Sequence, residues 1–309
     1  MGLSFRNNGA RGSVGLDLDC GYLAAVQVSH DHVARAASVP LEPGAIADGE
    51  VGDPAALTAA LREFFKRESL PRSVWLGIAN QQIVLRRLEL PPIEDADERA
   101  AAVRFQAAEA IPMPLDDVVL DHQVTGQRTD EEGHIKMQLI VVAARRAMVG
   151  AFVDCVREAG LKPVGMDLDA FALVRALGTP SVSDDSARVY CHLAGVTTLA
   201  IAVGSACHFS RVLPGSGSGQ ETSPEVLAEE IRLSVDTYAH LPGAVEVADV
   251  LLSGPGSRRD GLAEGLAEQL SVEVTHAQPL GRLSPNGSGS IDEPDRHTVA
   301  AGLALGAAA

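Results

Sequence analysis

The chain has 309 residues, 46% of them hydrophobic and 21% charged, with a formal net charge of −16. There is enough apolar chain for two lobes, while the acidic balance excludes a nucleic-acid partner, whose phosphates need clustered Lys and Arg, and adhesion to an anionic membrane surface. No apolar run reaches the ~18 residues of a membrane-spanning helix, no signal-peptide core opens the chain, and four widely spaced cysteines suit a reducing cytoplasm.

Residues 1–12 are polar and read as a loose arm. The stretch VGLDLDCGYLAAVQV (14–28) reads as two paired strands, 14–18 and 22–29, around the polar segment Asp17–Gly21, and 32–39 as a third strand. The turn has the size of a phosphate site, yet it carries Asp17 and Asp19 and no Lys or Arg. A turn-rich connection follows over 41–53. Asp53 and Pro54 then predict a helix, with Asp as cap and Pro at its first position. Leu57, Leu61, Phe64 and Phe65 recur at helical spacing, and SVWLGIA (73–79) is a short apolar strand.

From Ile83 the texture changes. A strand at 84–91, an Ala-rich helix at 95–111, strands at 118–126 and 134–144 and a helix at 146–159 make a compact α+β insert over 84–163. Gly160 is placed to cap that last helix. MDLDAFALVRAL (166–177) returns to a helical pattern, and the polar stretch 179–187 marks the lobe boundary. The segment 188–212 then repeats the opening order of three strands and ends in a Gly-rich loop. A helix capped by Ser223 and Pro224 follows, then a strand, Gly loop and helix over 249–270, a Gly/Ser/Pro-rich stretch at 279–293, and a small-residue helix at 297–309. The repeated strand triplet implies two similar lobes around a cleft.

Several stretches together resemble one family: VWLGIANQQIVLRRLELP, AVRFQAAEAIPMPLDDVVLDHQV, EAGLKPVGMDLDAFALVRAL, EEIRLSVDTYAHLPGA and HTVAAGLALG, with FQAAEAIPMPLDD the most distinctive. The chain resembles the PilM family, actin-like cytoplasmic proteins of type IV pilus assembly, from about Val14 to its end. The resemblance implies an α/β, actin/Hsp70-like two-lobe fold with an FtsA-like α+β insert in the first lobe. The lobes would be 13–83 with 164–185, and 186–309 with a small helical subdomain at about 216–248. It implies ATP with Mg²⁺ as cofactor. As partners it implies the N-terminal cytoplasmic tail of a PilN-like bitopic membrane protein, the pilus motor ATPases and further copies of the chain.

Against the family pattern, the nucleotide positions are degenerate. In the first phosphate turn Asp17 and Gly21 are kept, but Asp19 stands for a Gly and Ala24 for a Lys. In the second, Gly195 and Thr197 are kept, but Cys191 stands for the Asp that helps hold Mg²⁺ and Leu193 for a close-approach Gly. A hard cation prefers oxygen ligands, so a thiol replaces that Asp poorly. The adenosine loop keeps Gly254, Gly256 and Ser257, and Glu229 and Arg232 stand where ribose or adenine would be met. A pseudo-ATPase is expected. The rival reading is an active ATPase that gates assembly, and a third is the cytoplasmic part of a type II secretion platform, which carries a spanning helix after this domain.

For the partner groove, the candidates are Arg86 and Arg87 with the apolar knuckle Ile111, Met113 and Leu115, which serves equally as insert core. Cys191-His192 and Cys207-His208 do not predict a zinc site, because neighbours on a strand point to opposite faces. No G-x-S-x-G elbow, H-E-x-x-H or Walker loop is present. The sum of these readings is a scaffold on the inner face of the cytoplasmic membrane, recruited by its partner's tail.

Overall fold

The computed structural model describes residues 14–29, 32–130, 132–178, 185–213, 223–280, 283–285 and 291–308. The expected arm (1–12), the tip at His30–Asp31, most of the lobe linker (179–184), the Gly-rich stretch 214–222 and much of 279–293 lie outside them. The described chain forms two compact units, one of residues 82–151 and one of 14–81 with 152–308.

The larger unit opens with β1 (Val14–Leu18), β2 (Tyr22–Ser29) and β3 (His32–Pro40), the short pair β4 (Ile46–Ala47) and β5 (Glu50–Val51), α1 (Pro54–Glu68) and β6 (Ser73–Ile78). Helix α1 starts where the cap predicts: the Asp53 carboxylate accepts from the amides of Ala55 and Ala56 at 2.9 and 3.0 Å, satisfying donors that the first turn leaves orphaned.

The smaller unit contains β7 (Val84–Leu90), α2 (Ala96–Ala110), β8 (Val118–Thr129) and β9 (Ile135–Arg145). Its sheet runs β7-β9-β8, all antiparallel. Asp95 caps α2, whose Val103 and Ala107 pack with Leu90, Leu139 and Val141 into a separate core. Helix α3 (Arg146–Glu158) carries the chain from one unit into the other.

The larger unit resumes with β10 (Lys162–Leu168), α4 (Asp169–Leu177), β11 (Ala187–Leu193), β12 (Thr197–Val203), β13 (Ala206–Val212), α5 (Pro224–Ala239), β14 (Val247–Ser253), α6 (Leu262–Leu270), β15 (Glu273–His276), β16 (Ser284–Pro285) and α7 (Thr298–Ala308). Here the sequence reading needs correction. Met166–Leu168 are not helical; they end β10, which pairs parallel with β6 from Lys162↔Ser73 to Leu168↔Ile78. That pairing lies some ninety residues away in the chain, so local periodicity carries no sign of it.

Among the described residues of this unit, the two larger sheets have the orders β10-β6-β1-β2-β3-β16 and β13-β12-β11-β14-β15, beside the small pair β4-β5. Each holds an antiparallel triplet whose first strand also pairs parallel with a later one, β1 with β6 and β11 with β14. The repeated strand pattern of the sequence is thus a repeated topology. Buried Val189, Leu199 and Ile201 pack the second sheet against Leu227 and Ile231 of α5 and Leu262 and Leu266 of α6. Val26 and Ala24 pack against Ala300, Ala301 and Ala304 of α7. Each fully buried Val, Leu or Ile is worth about 1.5–3 kcal/mol, so aliphatic side chains suffice where aromatics are 4% of the chain.

Candidate functional site

The β1–β2 turn and the β11–β12 turn meet, and the residue that joins them is Asp19. The turn is closed by the Asp19 amide donating to the Tyr22 carbonyl at 3.1 Å. Its carboxylate then turns inward. Oδ1 accepts from the Gly21 amide at 2.8 Å, and Oδ2 accepts from the Gly195 amide of the other turn, also at 2.8 Å. The amides of Cys20 and Val196 donate to it as well. Asp19 is only 5% exposed. Burial raises its pKa from the ordinary carboxylate value, and the four amides pull it back. A Cβ on Gly195 would lie 2.6 and 2.8 Å from the Asp19 oxygens, so only glycine permits this approach.

Behind the turn is a second acid. Asp17 is buried and accepts from the Tyr22 hydroxyl at 3.4 Å. Burial, with Asp169 and Asp19 nearby, raises its pKa well above the usual range. Asp169, at the start of α4, is pushed up to about 8 by burial and by Asp19 and Asp167. Like charges this close favour the neutral acid.

The second turn packs on the loop Gly254–Ser257, the expected adenosine loop. Leu193 is buried, and its carbonyl and side chain lie against Gly254 and Gly256, where added Cβ atoms would come within 2.5 and 3.1 Å of it. Ser257 closes the loop, its hydroxyl donating to the Gly254 carbonyl at 2.7 Å. Thr197 is buried opposite Leu193 in the hairpin register. The structure therefore brings Asp17, Gly21, Gly195, Thr197, Gly254, Gly256 and Ser257 into two adjoining clusters. Glu229 and Arg232 instead serve the packing of α5 on α6. Arg232 pairs with Glu229 at 2.9 Å and donates to the Gln269 carbonyl at 2.7 Å.

Mg²⁺-ATP does not fit these residues. The amides that would cradle phosphate already hold a carboxylate, and a leucine fills the contact between turn and loop. Cys191 points into the core of the second sheet, and burial pushes its thiol up to about 12, so it is no ligand for a hard cation. Among the described residues, no group of three His, Cys, Asp or Glu side chains is placed to hold a metal.

Sequence reasoning missed the role of His192, on the face of β11 opposite Cys191. It is 3% exposed, its Nδ1 lies 3.0 Å from the Ser253 hydroxyl, and Nε2 is buried without a partner. Burial lowers its pKa to about 4. The folded imidazole thus stays neutral where the unfolded one, near 6.5, takes up a proton. Its contribution to stability is complete above pH 6.5 and is lost as pH falls towards 4, by about 3 kcal/mol at ~1.4 kcal/mol per unit. Asp17 and Asp169, raised in the fold, act with the opposite sign. The difference between wild type and His192→Leu in urea unfolding isolates the imidazole. The variant is expected to lose less stability than wild type between pH 6.5 and 4, and parallel pH curves would refute the assignment.

In the smaller unit, the basic pair divides. Arg86 lies on the α2 side of the sheet, donating to the Ala110 carbonyl at 3.3 Å. Arg87, the next residue of β7, is half-buried on the opposite face. The two do not form one patch. Ile111 is 4% exposed inside the core of this unit, and Met113 and Leu115 pack against that core. Phe105 of α2 is 77% exposed, an apolar side chain that the sequence reading passed over.

Residues 15–203 match the family model described as type IV pilus assembly protein PilM. Among solved structures, the chain is similar to the PilM-PilN type IV pilus biogenesis complex at 24% identity, with 96% of this chain and 99% of that one covered and a TM-score of 0.82. It is also similar to the cytoplasmic domain of EpsL, an inner-membrane component of the type II secretion system of Vibrio cholerae, at 14% identity, 95% and 93% coverage and a TM-score of 0.52. MreB5 of Spiroplasma citri bound to ADP matches at 10% identity, 95% coverage of both chains and a TM-score of 0.50. The fold is actin-like.

Proposed function

The chain belongs to the PilM family of type IV pilus assembly proteins, and from that premise we propose that it is a non-hydrolysing scaffold of the pilus inner-membrane platform. It acts in the cytoplasm and binds the N-terminal cytoplasmic tail of a PilN-like membrane protein, which recruits it to the membrane. The observation that carries the reading is the reach of the family match, which takes in the whole compact unit of residues 82–151. The end-to-end likeness to the solved PilM-PilN complex supports the choice of partner. No helix among the described residues is long and apolar enough to cross a membrane, in keeping with recruitment by a partner.

The domain limits follow the same reading: the first lobe at 13–83 and 164–185, the partner-binding insert at 84–163, and the second lobe at 186–309. Pilus motor ATPases and further copies of the chain are the other contacts it would make. Degeneracy at Asp19, Ala24, Cys191 and Leu193 supports the absence of hydrolysis.

The test is titration with a synthetic peptide of the PilN-like tail by fluorescence anisotropy. Saturable binding at micromolar concentration is expected. Arg87→Glu should weaken it about tenfold, or ~1.4 kcal/mol, while Arg86→Glu, on the other sheet face, should change it little. Equal affinity of Arg87→Glu and wild type would remove Arg87 from the groove. Absence of wild-type binding would sink the tail-binding reading.

A further inference from the structure

We propose that Asp19 is a built-in anion: its carboxylate occupies the amide nest of the two hairpin turns as a resident stand-in for a phosphate-class ligand, and so joins the two sheets without nucleotide. The inference rests on the non-hydrolysing reading and deepens it.

The geometry is specific. One carboxylate collects two amides from its own turn, Cys20 and Gly21, and two from a turn 176 residues away, Gly195 and Val196. Converging backbone amides make an anion site whatever fills it. Charge-assisted bonds from buried amides are the strong kind. The close approach is accommodated on the receiving side too, since a Cβ on Gly195 would meet both Asp19 oxygens and, at 2.7 Å, the Cβ of Cys20. The four amides cannot serve two anions at once. The side chain is also too buried to swing aside without opening the contact between the turns. The neighbouring carboxyls Asp17 and Asp169 make a vacated nest a modest phosphate site, so millimolar concentrations are appropriate.

The experiment compares wild type, Asp19→Asn and Asp19→Ala. Thermal unfolding of each is followed in chloride and in tens of millimolar inorganic phosphate at equal ionic strength. Asp19→Ala is expected to melt below wild type in chloride. It should recover about 3 °C more than wild type when phosphate replaces chloride, the shift for phosphate near ten times its Kd. Asp19→Asn keeps the bulk of the side chain in the nest and should show no recovery beyond wild type. Subtracting the wild-type response removes the general stabilisation that phosphate salts give any protein. If Asp19→Ala is unfolded in chloride, folding restored by phosphate supports the proposal, and Asp19→Gly repeats the comparison with the smallest side chain. A folded Asp19→Ala with no extra response, or alanine and glycine variants unfolded in both salts, overturns it. ATP turnover is assayed on wild type in parallel, with none expected. Turnover there would refute the non-hydrolysing reading, whereas the phosphate comparison judges Asp19 alone.

Discussion

Gly302→Ala is expected to destabilise the protein by about 3 kcal/mol or more, the upper end of the usual cost of overpacking, and to lower its melting temperature by roughly 6–12 °C. From sequence the opposite sign is expected, because alanine exceeds glycine in helix propensity by about 1 kcal/mol. Packing reverses it. A Cβ at Gly302 would be driven onto the Ala172 carbonyl, within 2.5 Å of its carbon and 2.8 Å of the Ala172 Cα. These are backbone atoms of α4, so no side chain can swing away. The same helix presses on β1, where a Cβ at Gly15 would strike the Ala300 carbonyl and come within 2.6 Å of the Ala304 amide. Helix α7 is thus seated by small residues between α4 and β1, with Ala300, Ala301 and Ala304 almost fully buried. Gly150→Ala on α3 is the control: nothing lies near its added methyl, and it should gain up to about 1 kcal/mol. Equal melting of Gly302→Ala and wild type would mean that α7 does not sit on α4 as described.

What could be read in advance follows the range of the interaction. The caps at Asp53 and Ser223 are contacts within three residues, and both fall where expected. The strand triplets were legible because hairpins pair neighbouring segments. The end of β10 was not, since Met166 to Leu168 become strand only through β6, and β15 was passed over because its partner is the distant β14. The site divides the same way. Loss of the lysine and of the metal-holding acid was visible as substitutions at matched positions. In sequence, Asp19 is only an acid standing for a glycine in a phosphate-sized turn. The structure gives it another meaning, which required knowing that Gly195 lies beside it. Family resemblance located the two turns, but residue identity alone did not say which way the carboxylate faces.

Removing the guanidinium of Arg175 is expected to rival the Gly302 substitution, and for an electrostatic reason. Asp167 closes β10 with its side chain 5% exposed and pairs with Arg175 Nη2 at 2.6 Å. Its other oxygen accepts from the Leu168 amide at 2.8 Å. Arg175 also donates through Nη1 to the Gly302 carbonyl at 2.8 Å, so one side chain ties β10, α4 and α7 together. Arg175→Met keeps most of the aliphatic stem but leaves a buried carboxylate unpaired and a helix carbonyl without its donor. Breaking one partner of such a pair costs about 3–5 kcal/mol, whereas replacing both by apolar groups is often close to neutral. Arg175 is 28% exposed, so solvent screening places the expectation near the lower figure, about 3 kcal/mol. The double variant Asp167→Leu with Arg175→Met should therefore be more stable than Arg175→Met alone. Urea unfolding of the four chains in the cycle measures the coupling directly. Additive losses would show that the pair is a surface contact in effect. Recovery in the double variant would show that the cost lies in the stranded carboxylate, and that β10 and α4 hold their place through packing once the charge is gone.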